Sequence, residues 1–256
     1  MLPKKKILGV GITDALKKEI LEYVIENLGK TGKSWYVVTP NPEILVFSNH
    51  QKPFQNILNS ANLALNDGVG LSIAGKILGI TLKERFTGVD FMEMLCSEVS
   101  NRPITVGFLG GRDRVAESAA ECLLSKYPNL RVVFTGSEWN QGLLKSPKPA
   151  NKRRSTNSSD ESASRGPLVD VLFVAFGFPK QEEWMAQHQN SNIYKVAVGV
   201  GGAFDYISGK VPRAPIFVRK LGLEWLFRLV VQPWRFKRQL ALVEFIGLVV
   251  KEKLFS

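Results

Sequence analysis

A chain of 256 residues with 45% hydrophobic and 22% charged residues has the composition of a globular protein that buries a sizeable core. Its net charge of +11 is unevenly placed, because ten Lys or Arg against three Glu lie in residues 209–256. This concentration predicts an anionic partner, which would be a phosphate, a nucleic acid or a lipid headgroup surface.

The chain shows no sign of secretion or of membrane insertion. The two cysteines, Cys96 and Cys122, are too few for a disulfide framework and predict buried thiols in a reduced compartment. The N-terminal lysines are not followed by a long apolar segment, which argues against a signal peptide. The longest apolar run near the end, residues 245–250, is too short to cross a membrane. We therefore expect a cytoplasmic protein.

Short apolar runs alternate with helical patterns along the chain. The first predicted strand is at residues 7–10, and Thr13 is expected to cap a helix that runs to about Leu28. Further strands are predicted at residues 35–39, 61–66, 104–109, 131–134, 169–176 and 194–200, with helices at or from residues 43, 54–59, 71–78, 91–100 and 110–126. This alternation predicts an α/β fold with a mostly parallel sheet and helices on both faces.

The turn at residues 66–70 combines two glycines with a single carboxylate, Asp67, where a predicted strand ends. Glycines let the backbone turn tightly and approach a ligand closely. In α/β folds, ligands bind in crevices at the carboxyl ends of strands. Asp-Gly is also an ordinary turn pair, so this turn by itself does not distinguish a binding site from a simple reversal of the chain.

Seven further short segments accompany this turn in the chain. They are residues 38–43, 85–90, 109–111, 177–182, 199–205, 210–215 and 221–226. In this order, the eight segments resemble the WecG/TagA/CpsF family of bacterial glycosyltransferases over about residues 9–238. The resemblance implies a Rossmann-like catalytic core and transfer of an N-acetylmannosamine-type sugar from a UDP donor to undecaprenyl-diphosphate-linked N-acetylglucosamine. The product would enter teichoic acid or surface polysaccharide synthesis, by an inverting reaction without a bound metal or other cofactor.

The resemblance also implies roles for three polar residues. Asp67 matches the family's proposed base, which takes the proton of the acceptor hydroxyl as that oxygen attacks the anomeric carbon. Thr39 and Asn41 match polar residues near this carboxylate and are expected to orient the acceptor or the sugar. Capping of a strand end by Thr39 and an Asx turn at Asn41 are the alternatives.

The donor side is assigned in the same way. Gly110 and Gly111 would let the nucleotide approach the backbone, while Gln181 and Asp205 match contacts to uridine diphosphate. The alternative role of Asp205 is a helix cap. Trp139 follows Glu138 where the family usually carries Gly-Tyr, and it is expected either to stack on uracil or to lie in the core.

The departing diphosphate needs cationic stabilisation, and no Asp-x-Asp pair is present to hold a metal against it. Arg228, Arg235 and Arg238 match family arginines thought to reach the active site from a C-terminal appendage, and Arg213 is close to them in the chain. We expect some of these arginines to bind substrate diphosphate and the others to bind lipid. A solvated basic face is the alternative.

We expect residues 1–209 to form the catalytic core and residues 210–256 to form a basic amphipathic helical appendage. Aromatic and aliphatic side chains beside basic ones in the appendage suit an anionic membrane surface, or else ordinary packing on the core or on another subunit. The protein would then lie on the inner face of the cell membrane, with homo-oligomer formation left open. Residues 145–167 are polar and are predicted to be a disordered surface loop.

Two other classes of protein share part of this pattern. A nicotinamide-dependent oxidoreductase would share the Rossmann-like pattern, but residues 9–11 lack the following G-x-x-G spacing, and no acidic residue lies about twenty positions further on. A nucleic-acid-binding protein would fit the sequence pI of about 9.7. The appendage is too aliphatic for a solvated phosphate-binding arm, and we expect no nucleic acid partner.

Overall fold

In a computed structural model, the structure describes residues 1–30, 33–140 and 168–255, without the side chains of residues 235 and 237–239. The predicted loop at residues 145–167 lies outside the described residues. So do the side chains of Arg235 and Arg238, and their expected contacts stay predictions.

The chain begins with an antiparallel hairpin of β1 (Lys4–Ile7) and β2 (Val10–Thr13). Leu8 and Gly9 form its two-residue turn with positive φ angles of 49° and 76°, as the tight turn of a hairpin requires. The single strand predicted at residues 7–10 is therefore wrong, because that stretch contains the turn. Thr13 does not cap a helix, since its hydroxyl accepts a hydrogen bond from the Ala64 N–H at 2.9 Å, and the first helix begins at Lys17.

Six strands form the central sheet, which is parallel throughout and confirms the predicted α/β class. In chain order they are β3 (Trp35–Val38), β4 (Leu63–Ala64), β5 (Thr105–Gly110), β6 (Arg131–Gly136), β7 (Val169–Ala175) and β8 (Tyr194–Gly199). Their order across the sheet is β4-β3-β8-β7-β5-β6. The register places Phe173 of β7 between Phe108 of β5 and Val198 of β8.

Helices cover both faces of this sheet. They are α1 (Lys17–Leu28), α2 (Pro42–His50), α3 (Lys52–Ser60), α4 (Val69–Leu78), α5 (Gly88–Val99), α6 (Val115–Lys126), α7 (Lys180–Gln187) and α8 (Ala203–Ile207), followed by α9 (Ile216–Lys220), α10 (Glu224–Val231), a 3-10 turn (Pro233–Arg235) and α11 (Phe236–Phe255). Phe108 and Phe173 point into a core with α1, α5, α6 and α8. Leu172 and Val174 point into the opposite core, with the hairpin and α2, α3, α4, α7 and α11.

The cysteine prediction is only half right. Cys96 is buried on α5, whereas Cys122 is exposed on α6, and both are free thiols. The exposed thiol lies on the outer face of an amphipathic helix, whose inner face buries Ala119, Ala120 and Leu123.

The C-terminal helix α11 packs on the core and does not project from it. Phe245 and Val249 are buried in the same cluster as side chains of α2 and α4. The Glu252 carboxylate accepts a hydrogen bond from the Leu8 N–H at 2.9 Å. The other face of α11 exposes apolar side chains at helical spacing, namely Leu240, Val243, Ile246, Val250 and Leu254. A boundary at residue 209 stays a prediction, and α11 shares the core of the preceding residues.

No helix within the described ranges combines the length and the apolar character that crossing a membrane requires.

If α11 is part of the core, Phe245→Ala should lower the free energy of unfolding by about 3–5 kcal/mol, because it removes a buried aromatic side chain. Ile246→Ala, at the exposed neighbouring position, should change it by less than about 0.5 kcal/mol. Urea unfolding monitored by circular dichroism measures both. Equal, small effects would show that α11 is not part of the cooperative core.

Candidate functional site

The predicted site residues lie along one edge of the sheet, where the six parallel strands end. Asp67 follows β4, while Thr39 and Asn41 follow β3. Turns with glycines at positive φ follow β8 and β7, at Gly201 and Gly177. The β5 and β6 ends carry the remaining predicted donor-side positions, namely Gly110, Gly111 and Trp139. Crevices at this edge are where open α/β sheets bind their ligands.

The turn that carries Asp67 is held closely by its neighbours. The Asp67 N–H donates to the Pro40 carbonyl oxygen at 3.3 Å. An ideal Cβ on Gly70 would lie 2.4 Å from Pro42 Cγ, so only glycine lets α4 start this close to α2. The buried Asn66 side chain donates through Nδ2 to the Glu84 carbonyl oxygen at 3.2 Å. These contacts fix the backbone of the turn, and with it the position of Asp67.

The surroundings of Asp67 favour its protonated form. Burial raises its pKa to about 7, and the negative charges of Glu224 and Asp90 act in the same direction. A hydrogen bond from the Gly88 N–H and the positive charge of Arg85 act in the opposite direction. A carboxyl group whose pKa lies near neutral pH is well placed for general base catalysis. Sequence reasoning did not predict that Asp90 and Glu224 lie near Asp67, because they come from α5 and α10.

Thr39 and Asn41 both have structural roles. The Thr39 hydroxyl donates to the Gly199 carbonyl oxygen at 2.9 Å and so links the ends of β3 and β8. Asn41 is the N-cap of α2, because its Oδ1 accepts from the Ile44 N–H at 3.1 Å. The Thr39 contact is the strand-end alternative that the sequence left open, whereas for Asn41 the sequence offered an Asx turn and not a helix N-cap. Contacts of either residue with substrate stay predictions.

The β5 end forms a close turn at two glycines with positive φ angles, 106° at Gly110 and 78° at Gly111. An ideal Cβ on Gly111 would lie 2.1 Å from Val115 Cγ1, which excludes any side chain there. The Gly111 N–H is already used, because it donates to the Ala175 carbonyl oxygen at 3.1 Å. Close approach of a nucleotide would therefore use the surface of this turn and not that particular amide.

Two neighbouring clefts open beside this turn. The smaller, of about 220 Å³, is lined by Gly110, Gly111 and Ser137 among others. The larger, of about 720 Å³, shares Ser137 and also includes Trp139. The Trp139 ring is half-buried, with its centroid 4.7 Å from that of Phe134. The structure thus brings Trp139 together with the two glycines, and one face of its ring packs on the core.

Gln181 is buried and fixes the turn after β8. Its Oε1 accepts from the Gly201 N–H at 3.1 Å, and its Nε2 donates to Glu182 Oε1 at 2.8 Å. Asp205 is half-buried on α8, and its backbone carbonyl oxygen accepts from the Val211 N–H at 3.0 Å. Contacts of Gln181 and Asp205 with a nucleotide stay predictions.

Glu182 is a buried carboxyl group that sequence reasoning missed. It is fully buried, and its Oε2 has no hydrogen-bond partner within the described residues. Burial raises its pKa to about 7, against the hydrogen bond from Gln181. Because Glu182 supports Gln181, it acts indirectly on the turn at Gly201. Its position on α7, next to Gln181, was the only signal in the sequence.

The arginines divide into two groups. The Arg228 guanidinium lies 4.8 Å from the ring centroid of Tyr206, and an ideal Cβ on Gly202 would lie 2.7 Å from Arg228 Nη2. Arg228 on α10 therefore reaches the end of β8. Arg213 instead binds carboxylates, with Nη2 2.6 Å from Asp90 Oδ1 and Nε 3.2 Å from Glu224 Oε1.

In the described part of the chain, no group of three or more His, Cys, Asp or Glu side chains is arranged to hold a metal ion.

Comparison with known proteins identifies a family that this chain matches. A sequence model described as "Glycosyl transferase WecG/TagA/CpsF family" matches residues 5–256. The match covers the sheet, the site edge and the C-terminal helices together.

Curated relatives match over most of their length. A protein of Bacillus spizizenii is 30% identical over 222 residues, covering 87% of this chain and 81% of that protein. A relative of Bacillus subtilis is 29% identical over 217 residues, covering 85% of this chain and 79% of that protein. A relative of Staphylococcus aureus is 28% identical over 254 residues, covering 98% of this chain and 93% of that protein. All three are named N-acetylglucosaminyldiphosphoundecaprenol N-acetyl-beta-D-mannosaminyltransferase.

The burial of Glu182 generates a prediction about stability. Its pKa is raised from 4.5 to about 7 in the folded state. Between those pH values the folded state keeps a proton that the unfolded state releases, so the free energy of unfolding falls as pH rises through this window. Glu182→Gln cannot ionise, so its loss of unfolding free energy between about pH 5 and about pH 8 should be roughly 2–3 kcal/mol smaller than that of the wild type.

Urea unfolding at the two pH values measures this difference. Glu121→Gln, on the exposed face of α6, is the matched control and should follow the wild-type pH dependence. Parallel pH curves for Glu182→Gln and the wild type would contradict the prediction.

Proposed function

Because the chain belongs to the WecG/TagA/CpsF family of glycosyl transferases, we propose that it transfers an N-acetylmannosamine-type sugar from a UDP donor to undecaprenyl-diphosphate-linked N-acetylglucosamine. The reaction would serve teichoic acid or surface polysaccharide synthesis. The shared name of the relatives supports this choice of sugar and acceptor. The observation that carries the proposal is the half-buried Asp67 carboxyl group, whose raised pKa fits the base that such a transfer needs.

In the proposed reaction, a hydroxyl oxygen of the acceptor attacks the anomeric carbon of the donor sugar. The bond from that carbon to the UDP oxygen breaks on the opposite face, so the configuration inverts and UDP leaves with the electron pair. The proton of the attacking hydroxyl passes to the Asp67 carboxylate. Asp67 must be ionised beforehand, and activity should therefore rise as pH increases through about 7.

The donor would lie along the ends of β8, β5 and β6. Arg228 would stabilise the charge that develops on the departing diphosphate, because its guanidinium lies against Gly202 at the β8 end. Asp205 would bind the ribose hydroxyls, and Trp139 would stack on the uracil. Gln181 would act by fixing the Gly201 turn, in addition to any direct contact. Thr39 and Asn41 would hold the acceptor side near Asp67.

The acceptor carries a polyprenyl chain, so the enzyme must work at a membrane surface. Segment α9–α11 exposes large apolar side chains, including Phe217 and Trp234, of which 67% and 72% are accessible. Ten Lys or Arg against three Glu lie in residues 209–256. Exposed aromatics beside basic side chains suit a helix lying at the headgroup boundary. We place the protein on the inner face of the cell membrane as a peripheral protein.

The family match favours this transferase over the nicotinamide-dependent oxidoreductase that the sequence left as an alternative.

Asp67→Asn tests the proposed base. The variant should bind UDP like the wild type but lose about 10²–10⁴-fold in turnover, since an amide cannot accept the proton. Turnover is measured at about pH 8 with UDP-N-acetylmannosamine and a short-chain analogue of diphosphate-linked N-acetylglucosamine. Glu22→Gln, on the exposed side of α1, is the control. Full turnover in Asp67→Asn would remove Asp67 from the mechanism, and no turnover in the wild type with any UDP-sugar would reject the proposed function.

Arg228 and Phe217 are expected to separate catalysis from membrane binding. Arg228→Ala should reduce turnover strongly, by several kcal/mol of transition-state stabilisation, while costing vesicle binding only about 1 kcal/mol. Phe217→Ser should weaken vesicle binding and leave turnover nearly unchanged, because it removes an exposed apolar side chain that does not stabilise the departing diphosphate. Co-sedimentation with vesicles containing anionic lipid is measured beside turnover on a water-soluble acceptor. Proportional losses in both variants would show that Arg228 is only an anchor.

A further inference from the structure

We propose that Arg213 is a positioning residue, which seats α9 and α10 over the Asp67 turn by holding Asp90 of α5 and Glu224 of α10 in one ion-pair cluster. The inference rests on the proposed function and extends it to a residue that does not touch substrate. It replaces the expectation that Arg213 binds substrate.

Arg213 has its donors engaged by carboxylates. Nη2 lies 2.6 Å from Asp90 Oδ1, Nε lies 3.2 Å from Glu224 Oε1, and Nη1 lies 3.9 Å from Glu93 Oε2. Its side chain is only 17% exposed. Guanidinium groups suit such multiple pairing because their donors form a rigid planar fork. An arginine that is hydrogen-bonded to two carboxylates, with a third 3.9 Å away, has little capacity left for a substrate diphosphate.

Other contacts fasten the same segment to the Asp67 turn. Arg85 Nη2 donates to the Arg219 carbonyl oxygen at 2.6 Å, which joins the stretch before α5 to α9. Gly222, between α9 and α10, has a φ of 77°, and an ideal Cβ there would lie 2.8 Å from Val69 Cγ2. Val69 is two residues after Asp67. The segment that carries Arg228 thus rests directly on the turn that carries the proposed base.

The cluster also holds two negative charges near Asp67. Burial would raise the pKa of Asp90, but the hydrogen bond and charge of Arg213, with smaller help from Thr87 and Lys17, keep that pKa below its ordinary value. Asp90 therefore stays ionised. Glu224 and Asp90 favour protonated Asp67, while Arg85 and the Gly88 N–H oppose them. Seating of α10 and the pKa of the base are therefore linked through Arg213.

The test compares three variants of the full chain. Arg213→Met removes the fork, and Glu224→Gln removes one charge while keeping an oxygen that can accept from Arg213. Arg102→Met is the matched control, because Arg102 is exposed and its Nε donates only to the Glu98 carbonyl oxygen. Hydrogen exchange of residues 216–231 reports seating without any substrate. The pH dependence of kcat/KM reports the pKa of the base in the free enzyme.

Arg213→Met should speed exchange in residues 216–231 by about tenfold or more, because the segment opens locally. The acid limb of its kcat/KM profile should move to lower pH by on the order of 1 unit, because Asp67 loses the nearby negative charge of Glu224 and part of its burial. Glu224→Gln should shift the acid limb in the same direction with a smaller change in exchange. Arg102→Met should match the wild type in both measurements.

Two results would overturn the inference. One is wild-type exchange of residues 216–231 in Arg213→Met. The other is an acid limb of the kcat/KM profile of Arg213→Met that stays fixed or moves to higher pH. A move to higher pH would mean that the segment is still seated and has only lost a positive charge, which raises the pKa of Asp67. If Arg213→Met does not fold, Arg213→Lys, which keeps the charge without the fork, takes its place with the same expected directions. If the wild type transfers no sugar, the proposed function fails, while the exchange result still decides the seating role.

Discussion

Every connection in a parallel sheet must return the chain to the same end, and this constraint brings six strand ends together at one edge. Residues as distant in sequence as Asp67 and Trp139 thus come to lie at the same edge of the sheet, after its two outermost strands. The sheet itself is apolar on both faces, with Phe108 and Phe173 in one core and Leu172 and Val174 in the other. The polar candidate site residues therefore lie beyond the strand ends, in the turns and on the helices that follow them.

Two carboxyl groups at this edge have their pKa raised to about 7, and they differ in what surrounds them. Asp67 is half-buried at the edge of the sheet, with charged neighbours from α5, from α10 and from the stretch before α5. Glu182 is fully buried and touches the site only through Gln181. A raised pKa alone would not distinguish a base from a support. The two groups differ in exposure, which is why we propose the partly exposed Asp67, and not the buried Glu182, as the base.

The sequence was sufficient for the fold class, which leaves local signals, whereas the role of Asp67 as base stays a prediction. Alternation of apolar runs with helices marks the parallel sheet, and a carboxylate followed by two glycines marks the Asp67 turn. The sequence was not sufficient where contacts between residues distant in the chain determine the local structure. The turn at Leu8 and Gly9 looked like a strand because it lies within the short apolar run of residues 7–10. Thr13 looked like a helix cap, although its hydroxyl accepts a hydrogen bond from the Ala64 N–H. The partners of Arg213 lie on α5 and α10, and no local pattern joins them.

The docking of α11 also constrains how the chain is made. The Glu252 carboxylate binds the Leu8 N–H across 244 residues of sequence, and Phe245 and Val249 complete the core beside α2 and α4. At about 5–20 residues per second, ribosomes need on the order of tens of seconds to span that separation. Once α2 and α4 have been made, their apolar side chains stay without the cover of α11 for the rest of this interval. A nascent chain of this protein therefore exposes apolar surface of the kind that chaperones bind until α11 emerges.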